Sequence, residues 1–204
     1  MDAKNILIEV AEAFAHIGLE AVMIGNSAAA IQGAPVTTMD IYFCVRDSDD
    51  TIKKLRKIAK HLDAKFLNYG TFFQIQAPGK ELYLDFLINV LGVKSFDCLM
   101  KKSSKVSFDR IYNLNIACLK DIIRSKKLAG QDKDKAVLPI LVKTLKIKNE
   151  EKKKTQAKTI AGKAGKVSDS AKMELSMILS RLSMPMEKRT GFLRKRLANG
   201  GSCL

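Results

Sequence analysis

Apolar residues return every three or four positions between Ala3 and Ile17, at Ile6, Leu7, Val10, Ala11, Phe14 and Ile17, and this spacing predicts an amphipathic helix. His16 near its end suits a helix terminus, and Gly18 supplies a stop. Glu20–Ile24 is then a short strand leading into the turn Gly25-Asn26-Ser27. Ala28–Gln32 is a run of helix formers closed by Gly33, and a second strand runs on to Val45. Strand side chains alternate between faces, so Asp40 and Tyr42 point one way while Ile41 and Phe43 point the other.

The helical period returns after Ser48-Asp49-Asp50, a capping sequence, and lasts to about His61. Ile52, Leu55, Ile58, Ala59 and Leu62 form its apolar face, opposite Lys53, Lys54, Lys57 and Lys60, which read first as a solvated surface. His61 has no partner nearby in sequence. Lys65–Tyr69, Thr71–Ala77 and Glu81–Ile88 predict three strands, the last two joined as a hairpin at Pro78-Gly79. Val93–Lys102 predicts a short helix, and Lys105–Ala117 one or two strands. A helix over Leu119–Leu128 ends at Gly130, and another follows from Asp132 to Leu145, interrupted or kinked near Pro139.

From about Lys146 the pattern changes. Residues 147–167 are lysine-rich and nearly free of large apolar side chains, which is linker composition. Ser168-Asp169-Ser170 then caps a helix with Met173, Leu175, Ile178, Leu179 and Leu182 on one side, broken by Pro185 and followed by a basic helix over Glu187–Ala198. The reading is an α+β domain over residues 1–146, a linker over 147–167 and a basic helical tail over 168–204. Docking on the body, dimerisation and nucleic-acid binding all remain open for that tail.

Charge sharpens this division. The formal net charge is +15, yet residues 1–146 hold 22 basic against 16 acidic residues while residues 147–204 hold 14 against 5. Such a tail attracts RNA or another polyanion, or is simply solvated. No apolar run is long enough to span a membrane. The first residues lack the pattern of a secretion signal, so a cytoplasmic location is the expectation. Cys44, Cys98, Cys118, Cys203, His16 and His61 are too scattered for the usual zinc spacings, and reduced thiols are expected, Cys44 as a small apolar filler.

Two features carry candidate chemistry. Gly25 allows close backbone approach and Ser27 opens a short helix, so the turn could receive a phosphate; Ser27 serves equally well as a helix cap. Asp85 sits in the otherwise apolar strand YLDFLI, where a charge costs several kcal/mol unless a metal or a lysine or arginine partners it. Lys126 and Lys127 could reach a phosphate chain, or could serve the dipole of their helix.

The arrangement Gly25-Asn26-x-Ala28, Gly33, Val36-x-Thr38-x-Asp40-x-Tyr42 and Asp85, with Leu119, Asp121, Ile122, Ile123, Lys126, Lys133 and Asp134 further on, resembles the nucleotidyltransferase superfamily. The likeness is to its polymerase-beta-like fold, and to the minimal, abortive-infection-toxin-like branch. It covers roughly Leu19 to Leu145. It implies a mixed β-sheet flanked by helices and, in an active protein, transfer of a nucleoside monophosphate from a nucleoside triphosphate to a hydroxyl. Asp40 and Asp85 would be catalytic and would hold Mg²⁺; Gly25, Asn26, Ser27, Thr38 and Lys126 would bind the nucleotide. The chain departs from the family pattern at Asn26, at Val36 in place of an arginine, at Tyr42 in place of the second aspartate and at Gln131 in place of a basic residue. Tyrosine is neutral at pH 7 and a poor Mg²⁺ ligand, whereas a two-ion mechanism needs several shared carboxylate oxygens. The alternatives are an inactive relative that binds nucleotide or RNA, and one component of a toxin–antitoxin-like pair with a protein partner.

Overall fold

The computed structural model describes residues 3–164, apart from Met39, Glu81 and Asp109. The chain divides into two units, Met1–Asn149 and Glu150–Leu204. The elements run α1 (Ala3–Ile17), β1 (Ala21–Ile24), α2 (Gly25–Ile31), β2 (Ile41–Val45), α3 (Asp49–His61), β3 (Lys65–Asn68), β4 (Phe72–Ala77), β5 (Leu82–Leu87), α4 (Phe96–Lys102), β6 (Ser104–Phe108), β7 (Tyr112–Ile116), α5 (Leu119–Ala129) and α6 (Asp132–Ala164).

Seven strands form one sheet in the order β3-β4-β5-β2-β1-β7-β6. The β2–β5 and β1–β7 pairs are parallel and the others antiparallel, so the sheet is mixed. Its centre is the most apolar part: β1 is buried along its whole length, as are Phe43, Cys44 and Val45 of β2. Phe14 of α1 meets Phe43 edge-on at 4.9 Å between centroids, and Phe43 stacks on Phe86 of β5 at 5.6 Å. These rings therefore lie on the sheet face that α1 covers. Alternation sends Tyr42 and Asp85 to the opposite face, where they stand side by side in the β2–β5 register. α1 also brings His16 to within 5.6 Å of His61 on α3, ring to ring, a pairing of two helices that sequence alone kept apart.

Three boundaries differ from the sequence reading. α2 begins at Gly25, directly off β1, because Gly25 has φ +73° and turns the chain without a linker. β2 begins only at Ile41, so Asp40 stands just before the strand; its carbonyl accepts the Ser27 hydroxyl at 2.9 Å and the Thr38 hydroxyl at 3.1 Å. α6 has Pro139 within it and is helical up to Ala164, where linker composition suggested an unstructured segment. Lysine, glutamate, glutamine and alanine are also strong helix formers, and Glu150 and Lys154 have the favourable four-residue spacing. The helices expected between residues 168 and 198 lie outside the described residues.

Candidate active site

The Tyr42 and Asp85 face of the sheet opens beside a cleft of about 370 Å³. Ile24, Gly25 and Asn26 line it from the β1–α2 junction, Thr38 and Asp40 from the loop before β2, and Tyr42 from β2 itself. Asp121, Ile122, Ser125 and Lys126 come from α5, Gln131 from the turn before α6, and Lys133 and Asp134 from the first turn of α6. The topology therefore gathers residues more than a hundred positions apart. Of the candidates read from the sequence, Gly25, Asn26, Thr38, Asp40 and Lys126 meet at this cleft, whereas Ser27 and Asp85 are not among the residues lining it.

Ser27 spends its hydroxyl on the Asp40 carbonyl and so ties the β1–α2 turn to the loop that carries Asp40. Asp85 is 9 % exposed, and its partner is neither lysine nor arginine. Gln74 of β4, directly opposite Asp85 in the β4–β5 register, donates its amide Nε2–H to Asp85 Oδ1 at 2.7 Å. Gln76 in turn donates its amide to Gln74 Oε1, and this fixes which end of the Gln74 amide faces the carboxylate. The Tyr42 hydroxyl lies 3.5 Å from Asp40 Oδ2, and Tyr42 stands beside Asp85 in the β2–β5 register.

The electrostatics follow from this packing. Burial, and next the two carboxylates, push the Tyr42 phenol up to about 12, so it keeps its proton throughout the physiological range. Burial also raises the Asp85 carboxyl, and the Gln74 amide opposes that rise. Lys126 is engaged as well. Its ammonium lies 2.7 Å from Asp134 Oδ1, both side chains are largely buried, and the pair clips α5 to α6 across the left-handed Gly130. Asp121, 4 % exposed, is held by Arg124 at 3.2 Å and accepts the Cys118 thiol at 3.2 Å.

The resemblance implies Mg²⁺, which needs clustered oxygens. Among the described residues no group of three or more His, Cys, Asp or Glu side chains is placed to hold an ion. The Gln74 amide donates a proton to Asp85, and the neutral Tyr42 phenol faces Asp40 beside it. A donor set of this kind does not fit a pair of divalent ions. Two further departures fall differently in space: Val36, in the family's arginine position, packs onto the hydrophobic core, while Gln131 lines the cleft. Gln74 and Gln76 escaped the sequence reading, although a signal was present. They share one face of FFQIQA, two residues apart, opposite the buried Phe73, Ile75 and Ala77.

No protein-family model matches the chain, and no curated protein matches it in sequence. Among solved structures it is similar to the solution structure of antibiotic-resistance factor ANT(2'')-Ia, at 8% identity over 79% of this chain and 97% of that one, with a TM-score of 0.51. It is also similar to the crystal structure of ANT(2")-Ia in complex with adenylyl-2"-tobramycin, at 12% identity over 72% and 92% of the two chains, with a TM-score of 0.51. An antigenic nucleotidyltransferase-like protein from Paracoccidioides brasiliensis matches at 12% identity over 71% and 75%, with a TM-score of 0.50. Identities this low speak for architecture alone: the mixed seven-stranded sheet and the six helices among the described residues make this an α+β protein of nucleotidyltransferase-like fold.

Proposed function

We propose that the chain is a nucleotide-binding protein of the nucleotidyltransferase-like fold whose cleft holds a nucleotide without transferring its nucleotidyl group. One observation carries this reading: Asp85, the carboxylate that would complete a catalytic pair with Asp40, is bound to Gln74, flanked by Tyr42 in the sheet, and is not among the residues lining the cleft. The cleft itself is intact. Its volume suits a small organic ligand, with Leu87, Val90 and Val93 as apolar wall and Gly25, Asn26 and Thr38 as polar contacts. Lys126 and Lys133 supply positive charge toward phosphate, Lys126 by sharing itself between the ligand and Asp134.

The test is calorimetric titration of ATP, GTP, CTP and UTP into the full chain, with a parallel assay for transfer of an α-labelled nucleotidyl group. Saturable binding without transfer is the expected result. A second reading, transfer to a hydroxyl acceptor with Asp40 and Asp85 holding Mg²⁺, draws on the position of Asp40 in the cleft wall. Transfer that disappears in Asp40→Asn would establish that reading and overturn the first. Absence of binding by all four nucleotides would overturn both.

The excess charge of residues 147–204 makes RNA or another polyanion the proposed partner of that segment. Affinity for a labelled single-stranded RNA should fall steeply with salt, and salt-independent binding would count against it. A protein partner is the alternative, visible as stoichiometric co-purification. No described helix is long and apolar enough to cross a membrane.

A further inference from the structure

We infer that the row of side chains Asp40, Tyr42, Asp85, Gln74 and Gln76 stands in place of a divalent ion, so that the cleft receives its ligand without Mg²⁺. Two carboxylates approaching one another in a half-buried site repel unless positive charge or donated protons lie between them. A metal ion is one solution. Here neutral donors supply another. The Tyr42 O–H is directed at Asp40 from the position next to Asp85 in the β2–β5 register, and the Gln74 amide donates to Asp85 from the neighbouring strand.

The register makes the arrangement durable. Tyr42, Asp85 and Gln74 are direct neighbours across β2, β5 and β4, so their side chains leave the same sheet face at fixed spacing. Gln76 holds the Gln74 amide in its donating orientation. A cation entering between Asp40 and Asp85 would have to displace the phenol ring, which packs against the core, and would meet the amide protons of Gln74. The site thus gives each carboxylate a neutral hydrogen-bond donor without drawing on the ligand.

This inference rests on the nucleotide-binding reading only for its consequence in the cleft, and the ion can be tested by itself. Mn²⁺ alone is titrated into the full chain and followed by loss of the free-ion electron paramagnetic resonance signal. Wild type and Asp40→Asn should give the same weak, unsaturated response. Tyr42→Asp, which returns a carboxylate to the gap, should gain a single saturable Mn²⁺ site at least tenfold tighter, and adding Asp40→Asn should remove it. One stoichiometric Mn²⁺ on the wild type that Asp40→Asn abolishes would overturn the inference. So would a folded Tyr42→Asp protein, verified by circular dichroism, that gains no site. If Tyr42→Asp does not fold, the comparison of wild type with Asp40→Asn decides. Nucleotide is absent from these titrations, so failure of nucleotide binding is a separate result.

Discussion

Replacing Gln74 with leucine removes one hydrogen-bond donor and leaves a carboxylate that is 9 % exposed without its nearest partner. Bonds to charged groups contribute about 1.5–3 kcal/mol, and an abandoned buried acceptor bears its full desolvation cost, so Gln74→Leu should destabilise the fold by about 2 kcal/mol at pH 7. In a domain of this size that is roughly 4–8 °C in melting temperature. The loss must depend on pH in a definite direction. Burial already raises the folded Asp85 carboxyl above its unfolded value while the Gln74 amide holds it back; without the amide it rises further. A raised carboxyl makes folding less favourable as pH climbs from the unfolded value through the folded one. The gap between wild type and Gln74→Leu should therefore be widest at neutral pH and should close as pH falls below the folded Asp85 value, because the neutral acid needs no donor. Urea unfolding followed by circular dichroism at neutral and acid pH measures both effects. A double-mutant cycle with Asp85→Asn isolates the pair. Additive losses, within about 0.5 kcal/mol, or a gap unchanged by pH would refute the argument.

Lys126→Met should cost about 3 kcal/mol in urea unfolding, because it strands Asp134 in a largely buried position, and Lys126→Met/Asp134→Leu should recover much of that loss. Gly130 has φ +64° at the end of α5, so Gly130→Ala should lower stability by about 1 kcal/mol, measured the same way. Burial pushes the Cys44 thiol up to about 11, leaving roughly one molecule in a thousand as thiolate at pH 8. Iodoacetamide followed by peptide mass spectrometry should therefore modify the partly exposed Cys98 in the native protein, and Cys44 only in denaturant.

Periodicity was enough to place most of the elements. The alternation along Ile41–Val45 already separated Tyr42 from Phe43, and the three-and-four spacing in α1 and α3 already marked the faces that meet the sheet. Boundaries failed where a local rule had two solutions. Lysine-rich composition serves an exposed helix as well as a linker, and nothing between residues 147 and 164 distinguishes them before the chain is built.

The site divides along the same line. Sequence alone determined which chemistry is present: a glycine turn, Asp40, a tyrosine two residues on, and one aspartate in an apolar strand that must find a partner. Which partner it finds was decided by strand order. Placing β5 between β2 and β4 sets Asp85 beside Tyr42 on one side and Gln74 on the other, and the left-handed turn at Gly130 between α5 and α6 brings Lys126 to Asp134. Side-chain alternation is a property of a single strand and is written in its residues. The neighbour across the ladder belongs to another strand, and only the closed sheet selects it.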